Sequence, residues 1–448
     1  MLHELEPRRR ETLDVHADAD VDADAVVLLI NTENRGANPL NPDADTAETP
    51  TSTGSIVSTE SPALGISTVP PDDVADLLEE LIRCDSSNPD LVPDAPGEGR
   101  IADLISAWLG SRGFTCHRLE SRPGRPSIVA VAPGTGGGKS IMLNGHVDTV
   151  SLASYDGDGL TPVRKDGKIF GRGGFDMKCG IAASMVAAVA ATQEPLRGDV
   201  ILALVADEEF ASAGTEEVLR SFSADAAIVV EPTGLELMIA HGGFAWVDVT
   251  IHGVAAHGSL PEVGVDAITK AGKFLVELER LGDRLAKGER HPLVGTGSIH
   301  ASLITGGEEY SSYPASCTIS LERRTIPGED AATSERELRE ILDALAAADS
   351  TFKYDMRQRM SRSTFSVDRE ASIVRTVAAQ LAQDTGQVAT FGGGPFWTDC
   401  ALLAGAGIPT VLFGASGDGA HAAEEWVDIS SLRTVTRVLE QTIREHCK

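Results

Sequence analysis

The sequence is short of basic charge, of aromatic rings and of paired cysteines, and each shortage removes a class of protein. Lys and Arg total 38 against 67 Asp and Glu in 448 residues, a formal net charge of −29. A chain that acidic repels phosphate backbones and anionic headgroups, so neither nucleic acid nor a membrane surface is an expected partner. Aromatic residues make up only 4%. No apolar run approaches the roughly 18 residues that a bilayer span needs. With 42% hydrophobic residues and 45 glycines, the composition is that of a soluble globular protein. The six cysteines, Cys84, Cys116, Cys179, Cys317, Cys400 and Cys447, form no C-x-x-C pair. That spacing indicates neither a disulfide framework nor a thiolate metal site, and it suits a reducing cytoplasm. Arg8, Arg9 and Arg10 precede an Asp-rich stretch whose only apolar run, 25–30, is shorter than a signal h-region, so no export signal is expected.

What is present sorts into segments. Residues 1–70 mix Asp, Ala, Thr, Ser and Pro without helical or strand period and are expected to be a disordered acidic tail. From Pro71 onward Asp72 and Asp73 precede Val74, Leu77, Leu78, Leu81 and Ile82, the pattern of a capped amphipathic helix. Beyond it, helical stretches at 101–109 and 180–191 alternate with apolar strands at 127–131, 141–143, 200–205, 226–230 and 410–413. Near-continuous apolar strands are those buried on both faces, which predicts an α/β fold with a mixed sheet flanked by helices. Between them, 244–251 and 316–321 alternate apolar with polar, while 265–281 and 335–347 read as helices. These predict a smaller inserted α+β domain at 236–350, dividing a catalytic domain into 71–235 and 351–448.

Five groups of metal-ligating residue types fall just past apolar strands or in glycine loops, where open α/β sheets build their sites. His146 and Asp148 follow the strand at 141–143, and in extended chain they point the same way. The carboxylate can then hold one imidazole nitrogen while the other binds a metal. Asp176 lies in Gly171-Arg172-Gly173-Gly174-Phe175-Asp176-Met177-Lys178. Asp207-Glu208-Glu209 follows 200–205, Glu231 follows 226–230, and His421 follows 410–413. Two imidazoles and three carboxylates, one of them shared, suit two divalent cations about 3.5–4 Å apart, with zinc or cobalt the best match. Metal-bound water becomes acidic near neutrality, and a carboxylate left over beside it takes the proton and passes it to a leaving nitrogen. That base is Glu208 or Glu209.

At these residues the chain resembles the zinc-dependent aminoacylase, acetylornithine deacetylase, succinyl-diaminopimelate desuccinylase and carboxypeptidase G family. The elements G-H-x-D-T-V, G-R-G-x-x-D-M-K and D-E-E carry the resemblance, which runs from about Pro71 to the C-terminus. It implies that Asp176 bridges two zinc ions, replaceable by cobalt. His146 and Glu231 complete one site, and Glu209 and His421 the other. Glu208 is then the base and Asp148 orients His146. The resemblance also implies a homodimer formed through the inserted lid domain, in which His257 reaches a neighbouring active site and steadies the oxyanion. Arg324 grips the substrate carboxylate, a bidentate task for which guanidinium is suited. Gly394 and Thr398 belong to a substrate-binding loop, in which Phe396 and Trp397 read either as an apolar acyl site or as ordinary packing. The implied reaction is removal of an acyl group from an N-acyl amino acid. A dipeptidase or carboxypeptidase is the alternative within the class, and a non-catalytic binding protein on the same fold the alternative outside it. Tyr313 and Glu322 depart from the family pattern, which usually has Asn and Asp there, and bear on substrate identity.

Three features have plainer readings. The segment 134–140 nearly spells a phosphate-binding loop, but Pro133 replaces its first glycine and a strand follows where a helix is required, so a glycine hairpin is expected. His241, His252, His291 and His300 lie in no motif and read as structural or solvent-facing. Cys179 reads as a small buried side chain.

Overall fold

A computed structural model describes residues 73–448, and the tail expected at 1–70 lies outside the described residues. The first helix, Val74–Ile82, begins where its sequence signal stands. The Asp73 carboxylate accepts the Ala75 N–H at 3.2 Å, and Leu77, Leu78, Leu81 and Ile82 are buried.

Nine strands make one mixed sheet. Their spatial order is Thr115–Leu119, Ser127–Ala132, Val200–Val205, Ile141–His146, Ala226–Val229, Thr410–Leu412, Leu237–His241 and Phe365–Ser366, with Phe391–Gly394 also paired to Leu237–His241. The central four run parallel, and the strand next to them on either side, Ser127–Ala132 and Leu237–His241, is antiparallel to them. Successive residues feed different cores, since side chains alternate across a strand. Ile141, Leu143, Leu202, Leu204 and Ile228 pack with helices Val74–Ile82, Lys178–Ala191 and Ile429–His446 on one face. Met142, Ile201, Ala203, Ala227 and Leu412 pack on the other, with Val218, Cys400 and Leu403 of two short helices. This is why the strands read as unbroken apolar runs. Because the central strands are parallel, their C-terminal ends open on one side of the sheet, and the loops that leave them meet there.

The expected glycine hairpin is corrected. Strand Val200–Val205 lies between Ser127–Ala132 and Ile141–His146, so those two strands do not pair with each other. The connecting segment instead crosses the chain at Arg197 and Gly198. A Cβ on Gly134 would stand 2.4 Å from the Arg197 carbonyl oxygen, and one on Gly138 2.5 Å from the Gly198 nitrogen. The glycines serve this backbone crossing, a long-range contact that adjacency in sequence does not reveal.

Helix Lys178–Ala191 is buried nearly all round. Its Gly180 sits where a Cβ would lie 2.0 Å from the Val230 carbonyl oxygen, next to Glu231. Gly to Ala inside a helix ordinarily stabilises by about 1 kcal/mol, but here the methyl meets rigid backbone. Gly180→Ala is therefore expected to destabilise the fold by roughly 1–3 kcal/mol, the cost of overpacking, as read by urea unfolding.

A second, four-stranded antiparallel sheet has the order Ser298–Gly306, Ser316–Thr325, Gly243–His252 and Lys353–Arg362. Val247, Val249, Ile251, Ile319 and Leu321 pack from one face onto Phe274, Leu278, Leu338 and Leu342 of helices Ala267–Lys287 and Ala331–Ala348. The limits differ from the 236–350 expected for the insertion. Leu237–His241 pairs within the large sheet, and Lys353–Arg362 pairs with Gly243–His252 along its length. The latter strand, KYDMRQRMSR, is an edge strand in which half the residues are charged and none is fully buried, so it carries little apolar signal. No helix among the described residues is long and apolar enough to cross a membrane.

Candidate metal centre

The strand ends bring the expected ligand types together. His146 terminates its strand with 1% of its side chain exposed. Its Nε2 lies 3.3 Å from Asp176 Oδ1, 3.6 Å from Glu231 Oε1 and 4.0 Å from Glu208 Oε2. His421 Nε2 lies 3.3 Å from Asp176 Oδ2 and 3.1 Å from Glu209 Oε2. One carboxylate, Asp176, thus presents one oxygen to each imidazole. Ligand atoms of His146, Glu208 and Glu231, and of His146, Asp176 and Glu209, lie within 4.8 Å of one another.

Electrostatics at the cluster follow from burial. Removing Glu208 and Glu231 from water pushes both carboxyl groups well above their ordinary values despite attraction from His146, and repulsion adds to this, from Glu231 at Glu208 and from Asp176 at Glu231. Burial also raises Glu209, with the charge of Asp176 beside it. Asp176 goes the other way: burial opposes its ionisation, yet hydrogen bonds with His146 and His421 outweigh that and hold it below the usual carboxylate range. Glu209 Oε1 is buried without a hydrogen-bond partner. Four carboxylates facing two imidazoles, with one carboxylate oxygen orphaned, form a donor set that could hold a metal ion.

Asp148 differs from expectation in detail. His146 Nδ1 meets the Asp148 backbone oxygen at 2.9 Å, whereas the nearest carboxylate oxygen is 3.6 Å away. The carboxylate is engaged elsewhere, accepting from the backbone N–H of Glu208 at 3.1 Å and of Glu209 at 3.2 Å, and from Asn88 Nδ2 at 2.8 Å. Three donors outcompete one imidazole edge, so the side chain holds the Glu208–Glu209 turn while the main chain orients the ring.

The remaining expected residues form no ion pair or hydrogen bond with these ligand types. His257 is exposed; its Nδ1 bonds the Ser259 hydroxyl at 2.8 Å, and its backbone bridges to Ser312. It does not cap the following helix, whose cap is Asp266. Arg324 pairs with Glu322 at 3.0 Å, and its guanidinium lies 5.5 Å from the Phe244 ring centre. Glu322 also accepts from Trp246 Nε1 at 3.1 Å. The Tyr313 ring packs against Gly264. Gly394 ends its strand opposite His241, and Thr398 is buried beside Asp399. Phe396 is exposed, while Trp397 packs near Phe244 and His241 and donates to the Ser363 carbonyl at 3.0 Å. His241 is fully buried, with Nδ1 2.7 Å from the Gly242 oxygen; His252 is a surface partner of Asp355. Cys179 is fully buried against the Phe175 carbonyl.

Sequence reasoning missed several supports. Glu425 is buried, pairs with Arg172 at 2.9 Å, and accepts the backbone N–H groups of Gly173, Phe175 and Asp176 at 2.9–3.0 Å. The glycine loop is wrapped around that one carboxylate. Nothing local distinguishes it from its exposed neighbour Glu424. Asp399 is buried near the cluster, accepts from Thr215 Oγ1 at 2.6 Å, and is pushed up to about 6 by burial. Asn88 and Arg125 sit in Pro- and Gly-rich stretches that read as loops.

Fold and donor set together define a metal-dependent hydrolase of amide bonds. Residues 142–445 match Peptidase family M20/M25/M40, and the chain belongs to that family. It is 28% identical over 384 residues to an acetylornithine deacetylase of Myxococcus xanthus, covering 83% of this chain and 96% of that one. It is 30% identical over 403 residues to a succinyl-diaminopimelate desuccinylase of Cereibacter sphaeroides, covering 84% and 100%. In structure it is similar to the aminopeptidase PepT of Bacillus cereus, with a TM-score of 0.69, 21% identity, and coverage of 84% and 99%.

Proposed function

We propose that this chain removes the acyl group from the nitrogen of an N-acyl amino acid, as a deacetylase or desuccinylase-like enzyme holding two zinc ions. The observation that carries the reading is Asp176 set between two imidazoles, with Glu208 beside them. In this assignment His146 and Glu231 hold one cation, Glu209 and His421 the other, and Asp176 both. The absence of thiolate and the presence of imidazole with carboxylate favour zinc, with cobalt as a substitute. When bound, such ions make water acidic and polarise a carbonyl. Glu208 takes the proton of the attacking water and delivers it to the departing nitrogen. Arg324 receives the α-carboxylate, exchanging its contact with Glu322 for a bidentate one.

His257 is exposed and forms no ion pair with the cluster of its own chain, which suits a role in a second copy. Strand Ser298–Gly306 is an edge strand with Leu303 and Ile304 exposed, an available surface for a homodimer. The six cysteines are unpaired, in keeping with a cytoplasmic setting. The test is hydrolysis of a panel of N-acetyl and N-succinyl amino acids and of dipeptides by zinc-loaded protein. Release of acetate or succinate is expected, and cleavage of dipeptides alone would overturn the deacylase reading.

A further inference from the structure

Behind the cluster lies a buried row of charges that the proposed chemistry does not use. Arg125, 5% exposed, makes a fork to Glu98, with Nε 2.7 Å from Oε2 and Nη2 2.7 Å from Oε1. The same Nη2 lies 2.8 Å from Asp207 Oδ1, and Nη1 reaches Asp90. Asn88 joins this row to the site. Its Nδ2 donates to Asp207 Oδ1 at 3.2 Å and to Asp148 Oδ2 at 2.8 Å, while its Oδ1 accepts the Asp90 N–H at 2.9 Å, which sets the amide's orientation.

Asp207 is the first residue of the turn that carries Glu208 and Glu209. Its backbone is left-handed, φ 70°, a conformation uncommon outside glycine and least costly for Asp and Asn. The turn is held at two points: Asp148 takes the N–H groups of Glu208 and Glu209, and Arg125 with Asn88 takes the Asp207 carboxylate. Glu98, Asp148 and Asp207 are all buried, and Arg125 is the cation set among them. Without it, the Asp207 and Asp148 carboxylates would face one another across a single amide, and the turn would lose the contact that fixes its first residue.

We infer that Arg125 is a positioning residue, acting through Asp207 and Asn88 to aim the Glu208–Glu209 turn. This rests on the roles proposed above for those two glutamates. A guanidinium is needed because a single group must fork to Glu98 and still reach Asp207, a geometry that an ammonium point charge does not reproduce.

Full-length Arg125→Lys, Asp207→Asn and Glu98→Gln variants test the inference. Each is assayed on an N-acyl amino acid that the wild type hydrolyses, titrated with zinc by calorimetry, and melted. Arg125→Lys and Asp207→Asn are expected to lower kcat by about 10- to 100-fold and to weaken one of two zinc equivalents by a similar factor, as loss of an outer contact does. KM should stay within about threefold, since substrate binding is not touched. Glu98→Gln leaves the guanidinium in place with one weaker partner, so it should lower the melting temperature with a clearly smaller loss of kcat and zinc affinity than Arg125→Lys. Asp207→Asn, nearly isosteric, keeps the test open should Arg125→Lys not fold. Wild-type kcat and zinc binding in Arg125→Lys and Asp207→Asn would overturn the positioning role. So would a Glu98→Gln variant that loses as much kcat as Arg125→Lys for the same fall in melting temperature. Glu208→Gln run alongside separates the two claims: retained turnover there defeats the assignment of the base, whereas the zinc titrations still report on Arg125.

Discussion

Glu208→Gln is expected to lower kcat by about 10²- to 10⁴-fold, the range that general acid–base catalysis contributes, while zinc content stays at the wild-type level. The substitution is nearly isosteric and leaves His146, Glu231, Asp176, Glu209 and His421 in place. The backbone N–H of residue 208 still donates to Asp148. What changes is that an amide cannot take a proton from water or return one to nitrogen. Metal analysis and steady-state kinetics on the same preparation check both halves. Full activity would refute the base, and loss of one metal would make Glu208 a ligand instead.

The pH profile follows from the same side chain. Burial lifts the Glu208 carboxyl well above its ordinary 4.5, with repulsion from Glu231 adding to it. A base acts only when ionised, so turnover should fall as pH drops through this raised value, tenfold per unit. The acid limb should therefore lie higher than an unperturbed glutamate would place it. Bound cations favour the carboxylate and limit the displacement. A midpoint at or below 4.5 in wild-type kcat would contradict the burial argument.

The second large effect concerns Asp176. Among the described residues it is the one carboxylate in contact with both imidazoles, 3.3 Å from each. In Asp176→Asn, one oxygen becomes an NH₂ group that donates rather than accepts, and the negative charge is gone. In the assignment proposed above, both metal positions then lose a ligand at once. Binding should weaken by more than the roughly 10- to 100-fold that outer-contact changes cost, and hydrolysis should fall to background. Thermal melting provides an independent readout. A ligand present at about 100 times its Kd stabilises the folded state by about 2.7 kcal/mol, so wild-type protein should melt higher with zinc and lower after chelation. The variant's melting temperature should barely respond. An equal zinc-dependent rise in both proteins would remove Asp176 from the site.

Much of the fold was legible in the chain because its signals are local. Asp73 before a 3.6-residue apolar stripe, unbroken apolar strands of four to six residues, and alternation in Gly243–His252 each follow from geometry over one or two turns or a few pleats. Strand Lys353–Arg362 escaped because an edge strand with one open face needs few apolar residues. The candidate ligand types were legible for a related reason: each ends such a strand, lies within four residues past one, or sits in a glycine loop. Glu425 and Arg125 were not legible. Their partners lie hundreds of residues away or on another loop, and the local pattern of a buried charge matches that of an exposed one.

The chain alone determined which residue types stand at strand ends, and hence the kind of chemistry available, because helix and strand periods and ligand spacing are properties of neighbouring residues. Tertiary structure alone decided how they are arranged. It set Asp176 between His146 and His421 and turned the Asp148 carboxylate toward the Glu208–Glu209 turn rather than the imidazole. It also closed the glycine loop on Glu425 and left His257 on the surface. Those outcomes depend on strand order and on competition among distant donors for the same oxygen. Such competition is resolved only once the sheet has brought the donors within hydrogen-bond reach.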